Sequence, residues 1–529
     1  MLTALWFTWQ NGKESKTCSP WTGEISQFTG LAMAGACAFC LRGEVSMKLA
    51  SKGLLLLVWL GTMSAQAQFP DPNPIKHVVV IVQENRTPDN LFQGLLTWPG
   101  LHHENYNIAR EGVDSKGLPV ALEPAPLDTP YDLSHAHAAF VQMYDGGRMD
   151  GADLIACTGI CPPKPNFKYV DNSKHLVDPY LELAARYGWA NLMFQSNQGP
   201  SYPAHQFLFG GTSAPSAKDD AKGRFIAENP TQPGGAKYNA FYDAGCLAPL
   251  GEWSWLIAPG GAETVLKNNP LGTFCFSRPT MASLLDAAGL TWKYYAPAAS
   301  NPLGSNPGGS VWTAPASIRQ ICAPDWNYTQ CTGPEWAANV DLTPAHVLTD
   351  IRACRLASVS WVIPVGQNSD HSGVAYGTGG PSWVAVIVDA IGADTACEDG
   401  AGYWSDTAIV ITWDDWGGWY DHVRPTIMSG PPGSYQGGFR VPLLVVSAYT
   451  PEAYVDNVPR DFGSILKFIQ GVFHIKEGSL GFADQRANDD LRSFFDFGLA
   501  TRAFQVIQAP LDADFFINDT RPPEPPDTD

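Results

Sequence analysis

Four short apolar runs of strand length recur along the chain, at residues 77–82, 359–363, 407–412 and 441–446. They are rich in Val and Ile and show no apolar–polar alternation, the pattern of strands buried on both faces. Helical spacing of apolar residues lies between and after them, at 179–187, 381–391 and 464–473. Strands alternating with helices predict an α/β fold built on a mainly parallel sheet with helices on both faces. Residues 212–345 break the pattern: rich in Gly, Pro, Asn and Trp, holding four cysteines and weakly periodic. That stretch reads as a disulfide-braced, irregular insertion or cap on the α/β core, with a loop at 304–309. The tail at 519–529, with four prolines and four acids, reads as disordered. The pattern shows no internal repeat.

The first 67 residues follow a different rule. After Met47 come Lys48 and Lys52, an apolar run through Leu60, and Ser64-Ala65-Gln66-Ala67. A basic start, a short apolar core and an Ala-x-Ala site form a secretory signal, too short for a membrane span. The expectation is that residues 1–46 belong to an over-extended start, that 47–67 are the signal, and that the catalytic domain covers 68–518. The protein would then be exported, to the periplasm or beyond the cell. Of 11 cysteines, three precede Met47; the eight that follow make an even set, as expected for disulfides in an exported chain. Sequential pairing (157–161, 246–275, 322–331, 354–397) is the simplest of the 105 connectivities open to eight cysteines.

Charge narrows the function classes. Charged residues are only 16% of the chain and the net charge is −19, which argues against a nucleic-acid partner. Removal of residues 1–67 deepens the charge to −21. Two of the apolar runs end on acids: Gln83-Glu84-Asn85-Arg86 follows the first, and Trp413-Asp414-Asp415-Trp416 the third. Carboxyl ends of parallel strands share one sheet edge, where ligands bind. Glu84, Asn85, Asp414 and Asp415 would meet there, and three carboxylates with an amide oxygen call for a divalent cation: Mg, Ca or Mn, or Zn or Fe if histidine joins. As helix caps, either pair alone would be ordinary.

Ser201 stands at the N-cap position of a helix with Pro203 in its first turn, so its hydroxyl faces backbone N–H groups and the positive end of the helix dipole. An ordinary capping serine fits that position equally. It is not in a Gly-x-Ser-x-Gly elbow. Thr87, before Pro88-Asp89, is the rival nucleophile and reads as a cap. His371 follows a strand end in Ser369-Asp370-His371, His422 follows Asp421 just past the acidic pair, and spacing alone does not place His135.

These segments resemble, block by block and in order, the bacterial phosphoesterase family that contains AcpA-type acid phosphatases and non-haemolytic phospholipases C. The blocks are IKHVVVIVQENR (75–86), DLSH (132–135) with GRMDG (147–151), GPSYPAH (199–205), TWDDWGGWYDHV (412–423), RVPLLVVS (440–447) and DFGSIL (461–466). The resemblance implies an alkaline-phosphatase-like α/β core, metal ligation by Glu84, Asn85, Asp414 and Asp415, and Ser201 as a nucleophile that forms a phosphoserine. It implies His135 and His371 in the phosphate pocket; acid–base chemistry then asks for a histidine, His371 first, to protonate the leaving oxygen. His205, Asp370 and His422 are the weaker pocket candidates. The chain departs from the family pattern in having no histidine between His205 and His346, in Ala152 after Asp150-Gly151, and in Gln470 where Glu is common.

The first reading is an exported, metal-dependent phosphomonoesterase acting on a phosphorylated small molecule. It rests on Ser201, where the phospholipases tend to carry Thr, and on the few residues beyond Phe473. The second is a phospholipase C acting on a phospholipid headgroup. A reading of another class is a secreted protein that binds phosphate or phospholipid without turnover.

Overall fold

The computed structural model describes residues 69–70, 73–231, 244–248, 250–268, 274–301, 304–306, 311–326, 330–374, 377–425 and 435–522. The chain divides into two units, Met1–Ala65 and Gln66–Asp529. The expectations about residues 1–67 lie outside the described residues, as do 523–529 of the tail and 307–309 of the expected loop, whereas Gly304–Asn306 forms a short strand paired antiparallel with Ala299–Asn301 rather than a loop.

An eight-stranded sheet forms the centre of the second unit. Its strands in chain order are β1 (His77–Gln83), β2 (Gly188–Ala190), β3 (Trp292–Tyr295), β4 (Val340–Asp341), β5 (Val359–Val362), β6 (Thr407–Trp413), β7 (Leu443–Val446) and β8 (Tyr454–Asp456). Their order across the sheet is β4-β3-β5-β1-β6-β7-β2-β8. Each of the four apolar runs is a strand here, and every residue of β1, β5, β6 and β7 is buried, so both faces of the sheet are covered. Burial on both faces is what the unbroken Val/Ile runs require.

Helices α1 (Asp178–Arg186), α2 (Ser201–Gly210), α3 (Gly380–Gly392) and α4 (Phe462–Val472) pack as two pairs, α1 with α3 and α2 with α4. Three of them match the periodic stretches at 179–187, 381–391 and 464–473.

The sheet is mainly parallel, as expected, with one reversed strand, and the reading of 212–345 changes. The β4-β3-β5-β1-β6 half of the sheet is parallel, but β7 runs antiparallel to both β6 and β2. An apolar run reports burial and carries no information on direction. The 212–345 region is also more than an insertion, because it supplies β3 and β4 to the sheet. The Trp-Lys-Tyr-Tyr of β3 buries three aromatic rings without the Val/Ile signature. The remainder includes a three-stranded antiparallel sheet of Phe225–Ile226, Trp253–Ile257 and Glu263–Lys267. Disulfides Cys246–Cys275 and Cys322–Cys331 brace it, and Cys157–Cys161 and Cys354–Cys397 complete the sequential pairing. Among the described residues no helix is long and apolar enough to cross a membrane.

Candidate active site

Strand register builds the site. Strands β1 and β6 are parallel neighbours paired from His77 with Thr407 through Gln83 with Trp413, so Glu84 and Asp414 leave the sheet side by side. The Asp414 N–H donates to the Gln83 carbonyl at 2.9 Å, and the Asn85 N–H donates to Asp414 Oδ1 at 3.1 Å. Asn85 turns the chain with φ +61°, a left-handed conformation that Asn tolerates better than most residues. Gly417, also at φ +61°, lies so near that a Cβ there would come within 2.4 Å of the Asn85 carbonyl oxygen. The glycine after the acidic pair is therefore a packing requirement of the site.

Ser201 enters from α2. It is the first helical residue, one place later than the expected N-cap, which is Pro200. Its Oγ stands 3.4 Å from both Glu84 Oε2 and Asp415 Oδ2, and its single proton serves one of them at a time. His205 follows one turn later on the same helix face. Its Nε2 is 3.0 Å from Glu84 Oε1 and 3.8 Å from Asp414 Oδ2. Glu84, Asn85, Ser201, His205, Asp414 and Asp415 are all fully buried. Burial pushes the His205 imidazole down to about 4 against the pull of Asp414, so near neutral pH it adds no positive charge to the carboxylates.

Ligand atoms of Glu84, His205 and Asp414 all lie within 4.8 Å of one another. Buried Asn85 Oδ1 and Asp414 Oδ2 have no hydrogen-bond partner among the described residues. Carboxylate oxygens, an amide oxygen and one imidazole nitrogen, buried together beside a neutral histidine, fit a divalent cation.

A histidine pair flanks this cluster. The Asn85 amide Nδ2 lies 3.3 Å from His135 Nε2 and 2.9 Å from His371 Nε2. His135 Nδ1 meets the Leu133 carbonyl at 2.9 Å and His371 Nδ1 meets the Ser372 carbonyl at 2.5 Å. Those carbonyls assign the proton of each neutral ring to Nδ1, leaving Nε2 as the acceptor facing Asn85. His371 can therefore donate from Nε2 only when doubly protonated. The Trp312 ring, from the 212–345 region, packs 6.5 Å from His205 and 6.2 Å from His371, centroid to centroid.

Two pocket candidates sit elsewhere. The Asp370 carboxylate accepts from Tyr180 Oη at 2.7 Å and Trp413 Nε1 at 3.2 Å, and burial raises its carboxyl to about 6. His422 lies in a separate cluster, with Nδ1 2.7 Å from Asp89 Oδ2 and Nε2 2.9 Å from Asn107 Oδ1. There buried Arg440 forks onto Asp421 at 2.8 and 2.9 Å and reaches Asp89 at 3.2 Å. That group already carries a cation, the Arg440 guanidinium, against its carboxylates. Thr87 is a cap: its Oγ1 accepts from the Asn90 N–H and donates to the Tyr420 carbonyl. The sequence reading missed His205 as a member of the carboxylate cluster. The i, i+4 spacing from Ser201 was the available signal.

The sequence profile of the Phosphoesterase family matches residues 75–476. Among curated proteins, phospholipase C A of Mycobacterium tuberculosis is 24% identical over 496 residues, covering 86% of this chain and 85% of its own. Phospholipase C B of the same organism is 24% identical, covering 80% of this chain and 78% of its own. The non-hemolytic phospholipase C of Pseudomonas aeruginosa is also 24% identical, over 80% of this chain and 57% of its own. Among solved structures, a protein in the alkaline phosphatase superfamily from Vibrio parahaemolyticus superposes with a TM-score of 0.34 at 11% identity, over 77% of this chain and 69% of its own.

Proposed function

Because the chain belongs to the Phosphoesterase family and is a hydrolase of phosphoric ester bonds, we propose that Ser201 is its nucleophile and that Glu84, Asn85, Asp414 and Asp415 hold a divalent cation, joined by His205. One observation carries this reading. The Ser201 hydroxyl opens a helix and stands 3.4 Å from two buried carboxylates drawn from distant parts of the chain. A divalent ion bound there would lower the hydroxyl pKa and offset charge on the phosphate oxygens. It would be Mg, Ca or Mn, and the imidazole of His205 adds Zn and Fe as fitting choices.

The chemistry of the protein groups follows from their placement. The Ser201 proton passes to Glu84 Oε2 or Asp415 Oδ2 as Oγ attacks phosphorus, the P–Oγ bond forms, and the bond to the leaving oxygen breaks. The first turn of α2 presents its N–H groups and dipole to the phosphate. His135 and His371, held by their Nδ1 bonds, present Nε2 on the Asn85 side. A protonated His371 delivers the proton the leaving alkoxide needs. Water then cleaves the seryl phosphate ester.

Two substrate readings differ in the group left on Ser201. The names of the relatives favour a phosphodiester with a phospholipid-type headgroup. Ser201 itself is the feature that favours a phosphate monoester. Chain length no longer separates them, since the match spans 85% of the M. tuberculosis phospholipase C A. Export fits the eight cysteines after Met47, all of which form disulfides. The test is hydrolysis of p-nitrophenyl phosphate against p-nitrophenylphosphorylcholine, with each divalent ion added in turn. Turnover of either ester, lost in Ser201→Ala, is the expected result. Inertness toward both with every ion would overturn the proposal and leave a binding protein.

A further inference from the structure

We propose that Asp370 is a positioning residue that ties together, from behind, the three segments carrying Asn85, Asp414 and His371. This rests on the reading that those three residues belong to the active site.

Asp370 is fully buried and takes φ +65°, a left-handed conformation. Its carboxylate and its backbone carbonyl are directed at different segments. Its carboxylate accepts from the indole N–H of Trp413, the residue just before Asp414. Its backbone carbonyl accepts from Arg86 Nε at 2.8 Å, and Arg86 is the residue just after Asn85. His371 is its own chain neighbour, and the Ser369 carbonyl on the other side accepts from the Glu84 N–H at 2.8 Å. Tyr180 Oη, from α1, donates to the same carboxylate oxygen as Trp413 and fixes it from a fourth direction.

The neighbours are shaped to this arrangement. A Cβ at Gly380 would come within 2.0 Å of Asp370 Oδ1, so the first residue of α3 must be glycine for the carboxylate to seat. Oδ1 has no hydrogen-bond partner among the described residues and lies against the first turn of α3, where the helix dipole favours an acid. Arg86 is in turn immobilised by Asn90 Oδ1 at 3.1 Å, by the Leu127 carbonyl at 2.7 Å and by the Trp419 ring. The left-handed turn at Asp370 and the one at Asn85 are thus held against each other through Arg86. A shift in Asp370 must move the backbone at Asn85, Asp414 and His371 together. Displacement of catalytic groups by about 1 Å can cost on the order of 100-fold in rate.

Asp370→Ala removes the acceptor of Tyr180 and Trp413, whereas Asp370→Asn keeps one at nearly the same place. Assayed well below its melting temperature with the ester that wild type turns over, Asp370→Ala should lose roughly 10- to 100-fold in kcat with KM changed less than about twofold. The divalent-ion concentration giving half-maximal activity should rise. Asp370→Asn should recover most of the lost kcat, which a general loss of stability would not predict. Should Asp370→Ala fail to fold, Tyr180→Phe removes only the 2.7 Å bond and should lower kcat several-fold. Wild-type kcat in folded Asp370→Ala, or in Tyr180→Phe where the Ala variant does not fold, overturns the proposal, as does an Asn variant no better than Ala. An active Ser201→Ala would instead sink the site reading itself, so the two failures are distinguishable.

Discussion

The Ser201 hydroxyl lies 3.4 Å from the Glu84 carboxylate, although 117 positions separate the two residues. One comes from the first turn of a helix and the other from the end of a central strand. Ser201→Ala should therefore lower kcat by at least about 10³-fold while changing stability by less than about 1 kcal/mol. Steady-state assay and urea unfolding of the same preparation check both halves.

Buried carboxylates without a cation should make the ion-free protein less stable than its own variant. Asp414 Oδ2 has no hydrogen-bond partner among the described residues, and Asp414 is fully buried. Asp414→Asn removes one charge while keeping an acceptor for the Asn85 N–H. In a chelator, the variant should be more stable than wild type by about 1–3 kcal/mol. Adding a divalent ion should raise the wild-type melting temperature more than the variant's, which calorimetry with and without the ion measures.

Much of this site was legible in the sequence. Unbroken Val/Ile runs marked buried strands, and acids directly after two of them marked the sheet edge where Glu84 and Asp414 stand together. Other features had no local signature. Strand direction is set by connections across the whole sheet, so antiparallel β7 looked like its parallel neighbours. The burial of Asp370 beneath the site and the pairing of His422 with Asp89 depend on contacts far along the chain. Trp312, inside a stretch without periodicity, gave no sign that its ring would pack near both His205 and His371.

Asp461, the N-cap of α4, is buried, and burial raises its carboxyl to about 6, opposed by Ser196 and Arg486. The folded value exceeds the unfolded one. Its stabilising proton is therefore fully present below about pH 4 and is lost as pH rises through about 6. Asp461→Asn keeps a capping acceptor and cannot ionise. At pH 7 it should be more stable than wild type by on the order of 1–3 kcal/mol, with the gap closing near pH 4. Chemical denaturation across that range tests the sign.

The Cys354–Cys397 bridge closes a separation of 43 residues. In the chain-entropy account a loop of that size contributes about 4 kcal/mol. The double variant Cys354→Ser/Cys397→Ser should lower unfolding free energy by roughly that amount. Since neither residue touches the carboxylate cluster, activity at low temperature should persist.

Rapid acid quench during turnover, followed by peptide mass spectrometry, shows whether phosphorus becomes bonded to Ser201. An adduct is expected on the peptide carrying Ser201: a phosphoryl group from a monoester, or phosphorylcholine from a choline diester. It should be absent in Ser201→Ala. An adduct on Thr87 or any other residue, or full turnover by Ser201→Ala, would contradict Ser201 as the nucleophile.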